Sequence, residues 1–310
     1  MNAATVVGSE HDRLVTLTLG FAFTPTMPPE RLRPVARLAE AAGLDELWVW
    51  EDCFTESGIA SAALALAATE RLTVGIGLLP VPLRNVALTA MELATLERAI
   101  PGRLIAGIGH GVQPWMEQVA SRVASPVTLL REYAEALRRL LDGDTVSVSG
   151  RYVHLDAVAL GWPPEARLPL MIGGQGPVTL RLAAELGDGL LLANALSLDE
   201  VATAAQVAGP ELPVVVTVIA ATGDDAGERV DADLLTWRAD ADPGARRYAV
   251  VGGDAAAIAT HLLALGECGA TNVVIQATRD EQDVDGLIAF LGDEVRPLLR
   301  SAGLRSAALS

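Results

Sequence analysis

The segment LPLMIGGQGPVTLRLAAELGDGLLL, residues 168–192, decides the fold. An apolar strand runs into Gly173-Gly174-Gln175-Gly176-Pro177. A helical pattern follows with Leu180, Ala183, Ala184 and Leu186 on one face, and Gly187-Asp188-Gly189 then opens a second apolar strand. Glycines let the backbone come close to an anion, and the helix N-terminus behind them offers unpaired N–H groups and a positive dipole end. Pro177 suits the first helical turn, where a missing N–H costs nothing. Such a turn also occurs as plain architecture, so its meaning rests on its surroundings.

Outward from this unit, strands and helices alternate along the chain. Further apolar strands read at 14–21, 45–50, 73–79, 103–108, 214–220 and 272–276, which with the strands at 168 and 190 make eight. Helices read from Pro28-Pro29-Glu30 to Gly43 and at 58–69, 86–99 and 126–141, the last after a long polar loop. The alternation VSVSGRYVHL at 146–155 predicts a small hairpin turning at Ser149-Gly150. Residues 222–247 read as polar, before a helix start at Val250-Val251-Gly252-Gly253-Asp254. Eight strands with interleaved helices and no linker predict an α/β fold, a single (β/α)8 TIM barrel over residues 14–300 with tails at 1–13 and 301–310. A doubly wound open sheet is the alternative. Barrel enzymes keep their chemistry on the loops at the C-terminal strand ends.

Composition excludes several classes. The 310 residues carry 39 acidic and 23 basic side chains, a net charge of −16 that suits nucleic acid poorly. All the basic residues are arginine, so Schiff-base and P-loop chemistry lack their lysine. His11, His110, His154 and His261 show no metal-binding spacing, nor do Cys53 and Cys268, so no metal is expected. No apolar run is long enough to span a membrane, which predicts a cytoplasmic protein.

The strand ends carry the candidate chemistry. After the second strand comes Trp50-Glu51-Asp52-Cys53, where two adjacent carboxylates suggest a polar cavity or a capped helix. As a hydrolytic acid–base pair they fail, because neighbouring strand residues point to opposite faces. Gly75 and Gly77 in the third strand suggest a flat ligand lying close by, or relief of barrel crowding. The fourth strand ends in Gly109-His110-Gly111, and a histidine framed by glycines on such a loop reads as ligand-facing. Trp50 and Trp115 are the candidate substrate contacts. His154 reads as structural.

Together the segments WVWEDCF, RLTVGIGLL, PGRLIAGIGHG, PLMIGGQGPVTLRLAAELGDGLL and YAVVGGDAAAIATHLLALGECGATNVVIQ resemble the bacterial luciferase-like monooxygenase superfamily, over nearly the whole chain. The resemblance implies a flavin- or deazaflavin-dependent oxidoreductase, often dimeric. It implies that Gly173, Gly174, Gln175, Gly176, Pro177 and Thr179 hold the cofactor phosphate. Gly75, Gly77 and Gly109 would lie along the ring, where relatives often have a non-prolyl cis peptide. Asp52 matches the aspartate of an Asp-His pair, but Cys53 stands where the histidine would be. His110 then becomes the expected proton donor, with Asp52 beside it and Cys53 packing on the ring. Val112 stands where the sugar-phosphate dehydrogenases carry a glutamate, which argues against glucose 6-phosphate.

The expected reaction is hydride transfer between coenzyme F420 and a small organic substrate. Arg84, Arg131 and Arg181 are the candidates for its acidic tail. The alternatives are an FMN-dependent monooxygenase on the same barrel, and a barrel that binds flavin without turnover.

Overall fold

The apolar runs pair side by side as parallel strands and close on themselves. The computed structural model describes residues 17–243 and 247–301. The two tails (but for Ser301), His11 and the opening of the first strand, residues 14–16, lie outside the described residues. In chain order the elements begin β1 (Thr18–Phe23), α1 (Leu32–Ala41), β2 (Glu46–Val49), α2 (Gly58–Ala68), β3 (Thr73–Pro80), α3 (Val86–Ala99) and β4 (Leu104–Gly109). There follow α4 (Gln113–Gln118), α5 (Pro126–Leu141), β5 (Val146–Ser149), β6 (His154–Val158), β7 (Leu170–Gly173), α6 (Pro177–Leu186) and β8 (Gly189–Leu191). The chain continues through α7 (Leu198–Ala208), β9 (Val214–Ala221), α8 (Ala226–Trp237), β10 (Val250–Gly252), α9 (Ala255–Glu267), β11 (Asn272–Ala277), α10 (Val284–Phe290) and α11 (Arg296–Ser301).

The barrel order is β1-β2-β3-β4-β7-β8-β9-β11 and back to β1, every neighbouring pair parallel. This is a (β/α)8 barrel, and the open sheet is excluded by the β1–β11 and β8–β9 pairings that close it. The antiparallel β5–β6 hairpin turns at Gly150, as its alternation implied.

Side chains along each strand alternate between two layers, because successive Cβ atoms point to opposite faces. Phe21, Phe23, Leu47 and Val49 join the layer between strands and helices. Ala22, Trp48, Ile105, Met171, Leu191, Val215 and Val274 fill the barrel interior. Trp48 is too large for that interior unless its neighbours are small. A Cβ on Gly75 would lie 2.4 Å from its indole, so the mid-strand glycine is space for a tryptophan. Below, the Trp48 indole donates to Glu46, which is buried and also accepts from the Asn272 amide. Burial pushes the Glu46 carboxyl up.

Three elements depart from the sequence expectation. Residues 222–247 contain α8, whose buried face is only Ala226, Val230, Asp233 and Leu234, too thin a stripe to stand out. The polar loop after β4 contains α4. Val250–Gly252 is a short strand on β9 rather than the start of a helix, and α9 begins after Asp254, whose carboxylate caps Ala257 N–H at 2.8 Å. Among the described residues no helix is long and apolar enough to cross a membrane.

Candidate active site

A cavity of about 500 Å³ opens at the C-terminal strand ends. The β2 end brings Trp50, Glu51 and Asp52 to it, and β3 brings Gly77 and Leu78. The β4 loop contributes His110, Val112 and Trp115, while β7 and its loop supply Gly173, Gly174, Gln175 and Gly176. The Gly77–Leu78 peptide is cis, as is Cys53–Phe54. The β3–β4 pairing shifts register between Ile76 and Leu79, so Leu78 turns to the cavity wall.

The two carboxylates differ in what they can do. Glu51 reaches the wall, but Arg84 grips both its oxygens, at 3.0 Å and 2.7 Å, and Gly58 N–H donates at 2.9 Å. That carboxylate is neutralised and capped. The Asp52 carboxylate receives no hydrogen bond among the described residues, and burial pushes its carboxyl up. Asp52 is therefore the carboxylate with free valence at the cavity. Beside it stands Glu56, which the sequence reading missed. Its Oε1 is buried without a hydrogen bond, and burial together with the Asp52 charge pushes the carboxyl up to about 7. No spacing signal marks it.

His110, on the loop after β4, lines the same cavity, its Nε2 3.0 Å from Thr179 Oγ1. Burial pulls its pKa down, opposed weakly by the Pro126 carbonyl, so the ring is neutral at pH 7. Its Nδ1 is buried and makes no well-formed hydrogen bond among the described residues.

The loop before α6 forms a cradle. Gly174 N–H is already used by the Leu191 carbonyl at 3.1 Å, which removes it from the expected phosphate donors. The N–H groups of Gln175, Gly176, Val178 and Thr179 have no partner among the described residues. Gly176 caps the helix with a φ of −78°, no side-chain cap is present, and nothing lies within 4 Å of where its Cβ would be. Pro177 occupies the first turn. Four free donors around open space at a helix N-terminus fit a phosphate group, so the residues present suit a flavin- or deazaflavin-type cofactor.

Other expected residues stand elsewhere. Gly75 lies under Trp48 and is not at the wall. A Cβ on Gly109 would lie 2.6 Å from Leu78, so that glycine makes room for Leu78 rather than for a ring. Cys53 lines a neighbouring cleft with Phe54, Leu83 and Leu88 and is not at the cavity wall. Burial and the charges of Glu51 and Asp52 push its thiol up. Arg84 is held by Glu51 and Glu92, and Arg131 by Glu185 at 2.8 Å and 2.7 Å. Arg181 is exposed on α6 and forms no ion pair among the described residues. Trp50 and Trp115 do line the cavity, joined by Trp237 from α8 and by Asn194, whose amide donates to Gln276 at 2.8 Å. Trp237 escaped the sequence reading because its helix did. Among the described residues no cluster of His, Cys, Asp and Glu could hold a metal ion.

The family model described as luciferase-like monooxygenase matches residues 10–287. The chain belongs to the luciferase-like monooxygenase family. Within it, the chain is 33% identical over 177 residues to the 5,10-methylenetetrahydromethanopterin reductase of Archaeoglobus fulgidus, covering 57% of this chain and 53% of that one. It is 33% identical over 199 residues to the F420-dependent glucose-6-phosphate dehydrogenase of Mycolicibacterium fortuitum, 57% of each chain. The chain thus spans a little over half the length of the curated relatives it matches. Among solved structures, an F420-dependent secondary alcohol dehydrogenase in complex with an F420-acetone adduct superposes with a TM-score of 0.81 at 20% identity, over 92% of this chain and 99% of that one.

Proposed function

We propose that this protein is an oxidoreductase that holds coenzyme F420 in the barrel-mouth cavity and moves hydride to or from a small organic substrate. The observation that carries the reading is the start of α6, where four unpartnered N–H groups surround the open space over Gly176. Support for the deazaflavin comes from the relative from Mycolicibacterium fortuitum and from the alcohol dehydrogenase, both named for F420.

Bound there, F420 supplies a ring carbon that accepts or gives the hydride. The chain does the rest. Gln175 to Thr179 hold the phosphate, and Gly77, Leu78 and Gly173 form the flat side of the cavity. His110 takes or returns the substrate proton, its ring fixed by Thr179 Oγ1 and neutral at pH 7 so that it accepts a proton when the substrate is oxidised. Asp52 lines the same cavity as a further titratable group. Among the described residues the cavity wall carries no arginine, so the phosphate of a sugar phosphate finds no cationic side chain there.

Titration of the purified protein with F420 and with FMN, followed by cofactor fluorescence, tests the reading. F420 is expected to bind at least about tenfold tighter, a difference near 1.4 kcal/mol. Tighter binding of FMN would overturn it in favour of an FMN-dependent monooxygenase.

A further inference from the structure

Four of the five tryptophans in the chain line this one cavity; the fifth, Trp162, lies on the surface. Trp48 is consumed by the barrel interior, but Trp50, Trp115 and Trp237 come from three separate segments and all line the cavity. Trp50 and Trp237 stand edge to face with ring centroids 6.2 Å apart at 83°. Packing alone does not account for this group, since Trp237 remains 41% exposed. Arg279, which is not at the cavity wall, lies 5.6 Å over the Trp237 ring and holds its orientation. Rigid aromatic rings left open to a cavity are surfaces for stacking, edge contact and attraction of cations.

The charges around them point the same way. Among the described residues no arginine lines the cavity, Glu51 is neutralised by Arg84, and Asp52 alone offers an uncompensated carboxylate. The free N–H donors belong to the phosphate cradle.

We infer that the substrate of this cavity is a flat, unsaturated ring compound without negative charge, neutral or cationic, stacked among Trp50, Trp115 and Trp237. This rests on the proposed cofactor site, because the cradle donors are assigned to the cofactor phosphate.

Binding of four probes to the full chain, measured by calorimetry and by tryptophan fluorescence, tests the inference: acetophenone, N-methylquinolinium, benzoate and glucose 6-phosphate. Acetophenone and N-methylquinolinium are expected to bind at least about tenfold tighter than benzoate, which shares the ring but carries the wrong charge. Trp115→Leu and Trp237→Leu should each weaken both favoured probes by about fivefold or more, with Trp237→Tyr largely restoring binding and Trp162→Leu without effect. Folding of each variant is checked by its melting curve, and the tyrosine variant keeps the test decisive if a leucine variant does not fold. Benzoate or glucose 6-phosphate binding as tightly as the favoured probes would overturn the inference, as would unchanged affinity in the folded leucine variants. F420 titration of the same samples separates the two levels. Intact F420 binding without ring selectivity removes the substrate class alone, whereas absence of F420 binding removes the cofactor reading beneath it.

Discussion

His110 Nε2 lies 3.0 Å from Thr179 Oγ1, a hydrogen bond that ties the loop after β4 to the first turn of α6. One contact therefore links the residue proposed to handle the proton with the helix proposed to hold the phosphate. His110→Ala should slow the chemical step by about 10²-fold or more in single-turnover measurements, with a much smaller change in cofactor affinity. Thr179→Val should cost less, because it leaves the imidazole present but unfixed. The double variant should match His110→Ala, since residues acting as one unit are not additive. Cys53→Ala, outside the cavity wall, should cost least. If turnover survives His110→Ala and collapses in Asp52→Asn, the proton role belongs to Asp52.

Two glycines make opposite predictions. Gly176 has an ordinary φ of −78° and open space around its would-be Cβ. Gly176→Val should leave the melting temperature nearly unchanged while weakening cofactor binding at least about tenfold, by filling the cradle. Gly75→Ala should do the reverse, because its Cβ would sit 2.4 Å from the Trp48 ring. Overpacking of that kind costs about 1–3 kcal/mol of stability. Melting curves and cofactor titrations on both variants check the contrast; equal binding in wild type and Gly176→Val would remove the cradle assignment.

The barrel was legible because its strands are apolar runs and its helices carry broad stripes, as with Leu129, Leu130, Tyr133 and Leu137 of α5. The phosphate cradle and His110 were legible because glycines mark unusual backbone. What escaped depends on contacts between distant segments. That Gly75 serves Trp48, and that Arg84 silences Glu51, are facts about side-chain neighbours 27 and 33 positions apart. Glu51 and Asp52, as neighbours, were expected to point to opposite faces. Both reach the cavity, and the difference between them lies in their partners. Glu56 has no sequence signal at all, because its unusual acidity comes from burial and from Asp52.

The Arg84–Glu51 pair should behave as a buried pair. The Glu51 side chain is 8% exposed and that of Arg84 15%. Arg84→Ala would leave the Glu51 carboxylate with only the Gly58 N–H, and should destabilise the fold by about 3 kcal/mol. Adding Glu51→Gln should recover part of that loss, because the unpaired charge is gone. Denaturant unfolding of the two variants decides it. A double variant no more stable than Arg84→Ala would show that the guanidinium acts by packing rather than by charge.

Glu56 sets a pH dependence whose sign follows from its raised pKa. Its carboxyl titrates near 4.5 in the unfolded chain and at about 7 in the fold, so between those values the folded state holds more protons. Stability then falls as pH rises from about 4.5 to about 7, and the penalty is complete above pH 7. Solvent screening of a half-buried group limits that penalty to about 2 kcal/mol or less. Glu56→Gln removes the titration, so the variant should be more stable than wild type at pH 8 and indistinguishable from it near pH 4.5. Asp52 moves in the same direction, and its charge is part of the cause at Glu56. Asp52→Asn should therefore bring the Glu56 titration down towards the ordinary carboxylate range. Melting temperatures of wild type and both variants across that pH range test the account, and a wild-type-to-Glu56→Gln difference that stays flat with pH would rule it out.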